Sequence, residues 1–353
     1  MRERHKENRL KGEALVDGEG SMWLPYDLPH RRHGTESWTL ISERRDVLHA
    51  GRRPFRRRTC HDSELHLLNG MGVTLGDSVI GMSVLAWVKT EHPSLQIHLY
   101  RSPHTPDYVE RLYQLANTII EPVRYLPWPL RALPQQAIDL SDFLHWPRFK
   151  TEPMVDFFLE ALGLDPIEMP ARAKQNTWLA ALTLPALPPS WNGTPYVLLC
   201  DRSSTPLRSV PRRHALALVQ RTWERYRLPV VGFHELPHPC WHDVSGFAAN
   251  TEQFMAWVKN ARVVIGTDSS AIHVAAGFGI PTLAGFASIN PTLRVRDYRS
   301  CTAVDLRTPL TDGIHTSDDP DLLREVDGRW HTFLEQEVIP WPEPAAPSAL
   351  QQL

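Results

Sequence analysis

A chain of 353 residues with 42% apolar side chains can hold two domains of ordinary size, each with its own core. Its formal net charge of −2 excludes a general attraction for nucleic acid or an anionic membrane. No apolar run approaches the roughly 20 residues of a membrane span, and the opening MRERHKENRLKGE is too polar for a signal peptide. Residues 1–60 are rich in Arg, His and Gly, with weak periodicity. They are expected to form an irregular N-terminal extension whose apolar patch (22–26) and strand-like 38–41 pack on the main body. The basic run RRPFRRR at 52–58 has no aromatics interleaved in the manner of a base-stacking surface and reads as a solvated linker.

From residue 61 the pattern turns into β-loop-α-β. A strand at 64–69 meets the glycine-rich turn GMGVTLGD at 70–77. A helix over 78–91 carries apolar residues at Val79, Met82, Leu85, Ala86 and Val88, a strand follows at 95–100, and a helix at 108–117. Pro and Trp crowd 121–150, which reads as loops, and 154–162 reads as a helix with Gly163 beyond its end. The stretch PALPPS (185–190) is the expected linker between an N-terminal domain (61–184) and a C-terminal domain (191–338). After it, strands at 196–200, 229–233 and 262–265 alternate with helices at 212–225 and 251–260. A final helix starts near Asp319-Pro320, and 339–353 reads as a loosely ordered tail. Two successive α/β halves predict two Rossmann-like domains facing a central cleft. The widely spaced Cys60, Cys200, Cys240 and Cys301 make no C-x-x-C pair and suit free thiols in a reducing, cytoplasmic compartment.

The most informative segment is ARVVIGTDSSAIHVAAGFGIPTLAGF, residues 261–286. An apolar strand runs into Gly266-Thr267-Asp268-Ser269-Ser270, a small-residue helix follows, and a second apolar strand begins after Pro281. Hydroxyls, a carboxylate and free helix N-terminal N–H groups at the carboxyl end of a strand suit a phosphate-bearing ligand.

This segment resembles the D-[ST]-G-x-x-H-x-A-A-x-x-x-P signature of glycosyltransferase family 9, the ADP-heptose:lipopolysaccharide heptosyltransferases. LGDSVIGMSVLAWVK (75–89) is similar to that family's G-D-x-[IV] loop and first helix, and DFFLEALGL (156–164) to the helix closing its N-terminal domain. The resemblance covers 64–306 and implies a GT-B fold and an inverting, metal-independent transfer without a cofactor. Its donor would be a nucleotide-diphospho-sugar bound mainly by the second domain. By the same resemblance Asp77 is the candidate general base, in a loop with Thr74 and Gly76 on the acceptor side. Asp268, Ser269, Ser270 and His273 match the turn that meets the donor. Arg208, with Ser203 and Ser204, falls where the family places a basic residue on the leaving diphosphate. Ser270 replaces the family's glycine, which leaves the sugar and nucleotide open. The acceptor expected is a glycan or glycolipid, with a protein serine or threonine also open; peripheral contact at the inner face of the cytoplasmic membrane is compatible with this, and no nucleic-acid partner is expected.

Each residue also has a plainer reading. Asp77 and Asp268 could be helix caps. His273 could be a buried, hydrogen-bonded histidine, and Arg208 a surface charge. His234, His238, Cys240 and His242 sit close enough in sequence to suggest zinc, but HELPHPCWH has no regular ligand spacing; His234 or Glu235 could instead face the donor's nucleoside. Asp319-Pro320-Asp321 has a D-x-D form that capping explains. The Trp-rich stretch 128–146 fits either sugar faces or core packing. A catalytically silent GT-B module that binds a nucleotide or glycan, a transferase with another nucleotide sugar, and a sugar-nucleotide epimerase or phosphorylase-like enzyme are the competing functions.

Overall fold

The computed structural model describes residues 12–30, 38–45, 47–56, 63–72, 74–133 and 137–345, so Cys60, Arg57 and Arg58 lie outside the described residues. The chain divides into two compact units, Met1–Pro170 and Ala171–Leu353, with the division upstream of the proline-rich 185–190 segment.

The first unit is built on a five-stranded parallel sheet of β4 (Val47–Leu48), β5 (Glu64–Leu68), β6 (Gln96–Arg101), β7 (Arg124–Tyr125) and β9 (Ala137–Asp139), in the order β4-β9-β5-β6-β7. Helix α1 (Leu75–Glu91) makes the crossover from β5 to β6 and packs against α2 (Asp107–Leu115) and α3 (Met154–Ala161). Its buried residues lie on nearly every side, Leu75, Val79, Ile80, Met82, Val84, Leu85 and Val88 among them, as expected of a helix covered by both a sheet and other helices.

The N-terminal segment departs from the irregular extension expected of it. β1 (Leu15–Asp17), β2 (Ser21–Trp23), β3 (Trp38–Leu40) and β8 (Trp128–Pro129) form a second, antiparallel sheet in the order β3-β1-β2-β8. It buries Ala14, Val16, Met22 and Leu24 with Ile41, Val47, Leu68, Tyr100 and Leu126 in one apolar cluster. Strands of two or three residues are too short to show alternation, and β8 comes from a distant part of the chain. The basic run is also more than a solvated linker, since Arg52 pairs with the buried Glu13. The Trp-rich stretch splits between two packing roles. Trp146 lies among Phe157 and His49, and Trp128 edges onto Tyr100.

The second unit is a six-stranded, all-parallel sheet of β10 (Val197–Cys200), β11 (Val230–Gly232), β12 (Trp241–Asp243), β13 (Val263–Thr267), β14 (Thr282–Phe286) and β15 (Cys301–Asp305). Helices α4 (Arg212–Tyr226), α5 (Thr251–Asn260), α6 (Ser270–Gly277), α7 (Thr292–Val295) and α8 (Pro320–Leu334) complete it. The order β12-β11-β10-β13-β14-β15 is the 3-2-1-4-5-6 order of a doubly wound sheet. The chain reverses its direction of winding between β10 and β13, and ligands of such sheets collect outside the strand carboxyl ends at that reversal. The two-unit α/β build is the one expected of a GT-B chain. Among the described residues no helix is long and apolar enough to cross a membrane.

Candidate functional site

The residues following β10 and β13 meet at the winding reversal of the second unit. β10 and β13 pair in register through Cys200 and Gly266, so Asp201 and Thr267-Asp268-Ser269 emerge side by side. Gly266 suits this close pairing, since a Cβ there would lie 3.2 Å from the Cys200 carbonyl oxygen. Ser203 Oγ donates to the Asp268 carbonyl at 2.9 Å. Arg208 spans the site, with Nη1 donating to Asp268 Oδ2 at 3.1 Å and Nη2 to Ser204 Oγ at 2.6 Å. The structure thus brings Ser203, Ser204, Arg208 and Asp268 together. Arg208 is not a free surface charge: its side chain keeps 19% of its exposure and its partner carboxylate 5%.

Ser269 takes the N-cap position of α6, but its side chain caps nothing. Its Oγ and that of Thr267 are buried without a hydrogen-bond partner. Two unused hydroxyls, one at the end of β13 and one at the start of α6, leave polar capacity for a ligand. Ser270 opens the helix itself.

Asp268 is 3% exposed. Burial is the largest influence and opposes its charge, but the guanidinium of Arg294, then Arg208 and His273, outweigh it and hold the carboxyl below its usual range. Burial likewise pushes His273 down to about 4, with Asp268 pulling the other way. His273 is therefore a neutral imidazole at physiological pH, with Nδ1 3.0 Å from the Tyr298 hydroxyl. Asn176 Nδ2 donates to the His273 carbonyl at 2.9 Å and to Tyr298 Oη at 2.7 Å, bracing α6 from behind. His273 thus fits the plainer reading of a buried, hydrogen-bonded group that positions the turn.

A cavity of about 280 Å³ opens beside these residues, lined in part by Asp201, Ser203, Ser204, Thr205, Arg212 and His234. Asp201 is 4% exposed, and its Oδ1 lies 2.8 Å from His234 Nε2. Sequence reading singled out His234 but missed Asp201 and Arg294. Asp201 had a usable signal, an acid directly after a core strand, whereas nothing local marks Arg294. The other members of HELPHPCWH do not gather around an ion. His238 Nε2 lies 3.1 Å from Gln220 Oε1, its Nδ1 accepts from the Cys240 amide, and His242 packs edge-on to Trp191. Asp319 caps α8 by accepting from the Asp321 amide at 2.8 Å, so the D-x-D segment is a helix start.

In the first unit the glycine turn follows β5. Thr74 occupies the N-cap of α1, which places Asp77 at the third helical position, half-buried, rather than at the cap; Gly76 lies between them. The turn is shaped by close approach. Gly72 has φ +144°, and a Cβ there would meet Asp77 Cβ and the Ser78 amide at 2.7 Å. The fully buried Arg101 donates through Nη1 to the carbonyls of Gly70 (2.8 Å) and Gly72 (3.1 Å), and through Nε to Glu110 at 2.6 Å. Tyr113, under the Arg101 guanidinium at 3.9 Å, donates to Ser78 Oγ or the Gly72 carbonyl and accepts from the Met71 amide. Buried donors therefore fix the backbone on which Asp77 is mounted.

A second acid stands at the carboxyl end of β9. Asp139 is fully buried and accepts from the Ser141 amide and hydroxyl. Burial pushes its carboxyl up to about 6, against the attraction of His49. No motif drew attention to it.

The chain is similar in fold to E. coli ADP-heptose lipopolysaccharide heptosyltransferase II, at 13% identity over 76% of this chain and 99% of that one, TM-score 0.47. It is also similar to the E. coli heptosyltransferase WaaC solved with ADP, at 10% identity over 71% and 95%, TM-score 0.45. A glycosyl transferase family 9 structure from Veillonella parvula gives 16% identity over 69% and 86%, TM-score 0.41. No family model matches the chain, and no curated protein matches it.

Proposed function

We propose that the protein is an inverting glycosyltransferase that takes a sugar from a nucleotide-diphospho-sugar and places it on a hydroxyl of a surface glycan or glycolipid. The observation that carries this reading is Arg208, held on Asp268 and Ser204 beside the start of α6, where the Ser269 hydroxyl is buried and unused. A departing diphosphate needs positive charge and hydrogen-bond donors. Arg208, the helix N-terminus and the seryl hydroxyls supply both without requiring an ion. Asp268 is anionic at neutral pH, so it orients Arg208 and meets a sugar hydroxyl rather than phosphate oxygens, which it would repel. The Asp201–His234 pair and the adjoining cavity suit the nucleoside end of the donor. Asp77 is the proposed general base, taking the acceptor proton as the oxygen attacks the anomeric carbon. The resemblance of 267–286 to the family 9 signature supports ADP-heptose as donor and a lipopolysaccharide-type acceptor.

The test is calorimetric titration with ADP, UDP, GDP and ADP-heptose, with and without EDTA, on the wild type and Arg208→Ala. Selective binding of ADP and ADP-heptose that survives EDTA and weakens at least tenfold in the variant supports the proposal. Selective binding of UDP or GDP replaces the donor and keeps the transfer. Absence of binding by every nucleotide overturns it.

A further inference from the structure

We infer that Glu64, His66 and His98 form a binding site for a borderline divalent transition metal of the zinc type, in the amino-terminal half of β5 and β6. This does not depend on the sugar-transfer reading. β5 and β6 are parallel and pair His66 directly with His98, which sets the two imidazoles on one face of the sheet, stacked with centroids 4.6 Å apart. Glu64 lies two residues before His66 and so shares that face. One donor atom from each of the three side chains falls within 4.8 Å of the others. Glu64 Oε2 is already 2.8 Å from His66 Nε2, where a metal would replace the shared proton. Imidazole nitrogen and carboxylate oxygen are the ligands such an ion takes, and the described residues supply three of the four that a zinc-type ion holds.

A second observation points the same way. His98 is 6% exposed and its Nδ1 is buried without a hydrogen-bond partner, so this ring retains unused polar capacity beside the other two ligands. The ligand shell is also supported from behind. His66 Nδ1 lies 3.0 Å from Tyr100 Oη, so the Nδ1–H tautomer needed for coordination through Nε2 has an acceptor. Tyr100 is fixed in turn by Arg124, whose Nη1 donates to the same oxygen at 2.6 Å. The guanidinium opposes a dication, so moderate rather than extreme affinity is expected. The glycine turn and Asp77 follow the other end of β5, about 10 Å or more along the strand from Glu64. The metal would therefore tie β5 to β6 rather than act on a sugar.

The experiment is titration of chelator-stripped full-length protein with Co²⁺, followed by its visible ligand-field absorption, with Zn²⁺ as competitor. The same titration is made on His98→Gln, His66→Gln, Glu64→Gln and Cys240→Ser. One saturating equivalent is expected, displaced by Zn²⁺. It should weaken at least a hundredfold in either histidine variant and about tenfold in Glu64→Gln, and be unchanged in Cys240→Ser. Glu64 has an exposed side chain, so Glu64→Gln tests the site even where a histidine variant unfolds. No saturable Co²⁺ binding by the wild type, undiminished binding in folded His98→Gln or Glu64→Gln, or selective loss in Cys240→Ser would each overturn the inference.

Discussion

Replacing His273 by Gln should remove a large part of the acid sensitivity of the second unit. In the folded chain burial pushes this imidazole down to about 4, whereas in the unfolded chain it titrates near its ordinary value of about 6.5. Above pH 6.5 both states are neutral and the stability is intact. Below it the unfolded chain binds a proton that the folded chain refuses, so stability falls by about 1.4 kcal/mol per pH unit and levels off near pH 4. Over about 2.5 units the loss is about 3 kcal/mol. Gln cannot take up that proton, and at pH 7 it forfeits only the contact with Tyr298, about 1 kcal/mol. The assay is urea unfolding at pH 7, 6, 5 and 4, read by tryptophan fluorescence from the buried Trp257 and Trp330. Groups away from this pair titrate alike in both proteins, so the difference curve reads His273 together with its charge partner Asp268. With a urea dependence of about 2–3 kcal/mol per molar, the wild-type midpoint should fall by about 1 M relative to the variant between pH 7 and pH 4. Parallel curves across that window would refute the reasoning.

Asp139 carries the opposite sign, because burial raises its carboxyl to about 6. Asp139→Asn should stabilise the first unit by up to about 3 kcal/mol at pH 7.5 and by little at pH 3.5, where both states of the wild type are largely protonated, as read by urea unfolding followed through that unit's buried Trp146. Asp268→Asn should lower sugar transfer by a hundredfold or more while nucleotide affinity changes less than tenfold, since Arg208 keeps Ser204 as a partner; calorimetry and a transfer assay separate the two. In Gly81→Ala the new Cβ would lie 2.4 Å from Met71 Cβ and carbonyl oxygen. About 1–3 kcal/mol of destabilisation and a displaced Asp77 turn are expected, visible as a lower melting temperature and a turnover loss with nucleotide binding unchanged.

The second unit was the more legible half. Its strand–turn–helix–strand segment is local, and the apolar run, the small-residue helix and the glycines of 261–286 each specify their own conformation. The helix expected at 251–260 is found at Thr251–Asn260, where Asn250 caps the Gln253 amide. Of the N-terminal antiparallel sheet only β3 was legible, as the strand-like 38–41; β1 and β2 are too short for periodicity and β2 pairs with the distant β8. The pairing of Asp201 with His234 was hidden for a related reason: adjacent parallel strands bring together residues that the chain separates by a whole helix.

By itself the sequence determined the α/β class, the two-part build and the turn that presents Asp268, Ser269 and Ser270, since each follows from local periodicity and from residues with restricted backbone preferences. The tertiary structure alone decided which charges meet. Arg208 and Arg294 hold Asp268 ionised, burial neutralises His273, Arg101 clamps the turn before Asp77, and strand register stacks His66 on His98. Register, winding order and burial are properties of the assembled chain, and electrostatic interactions take their sign and size from distances that only packing sets.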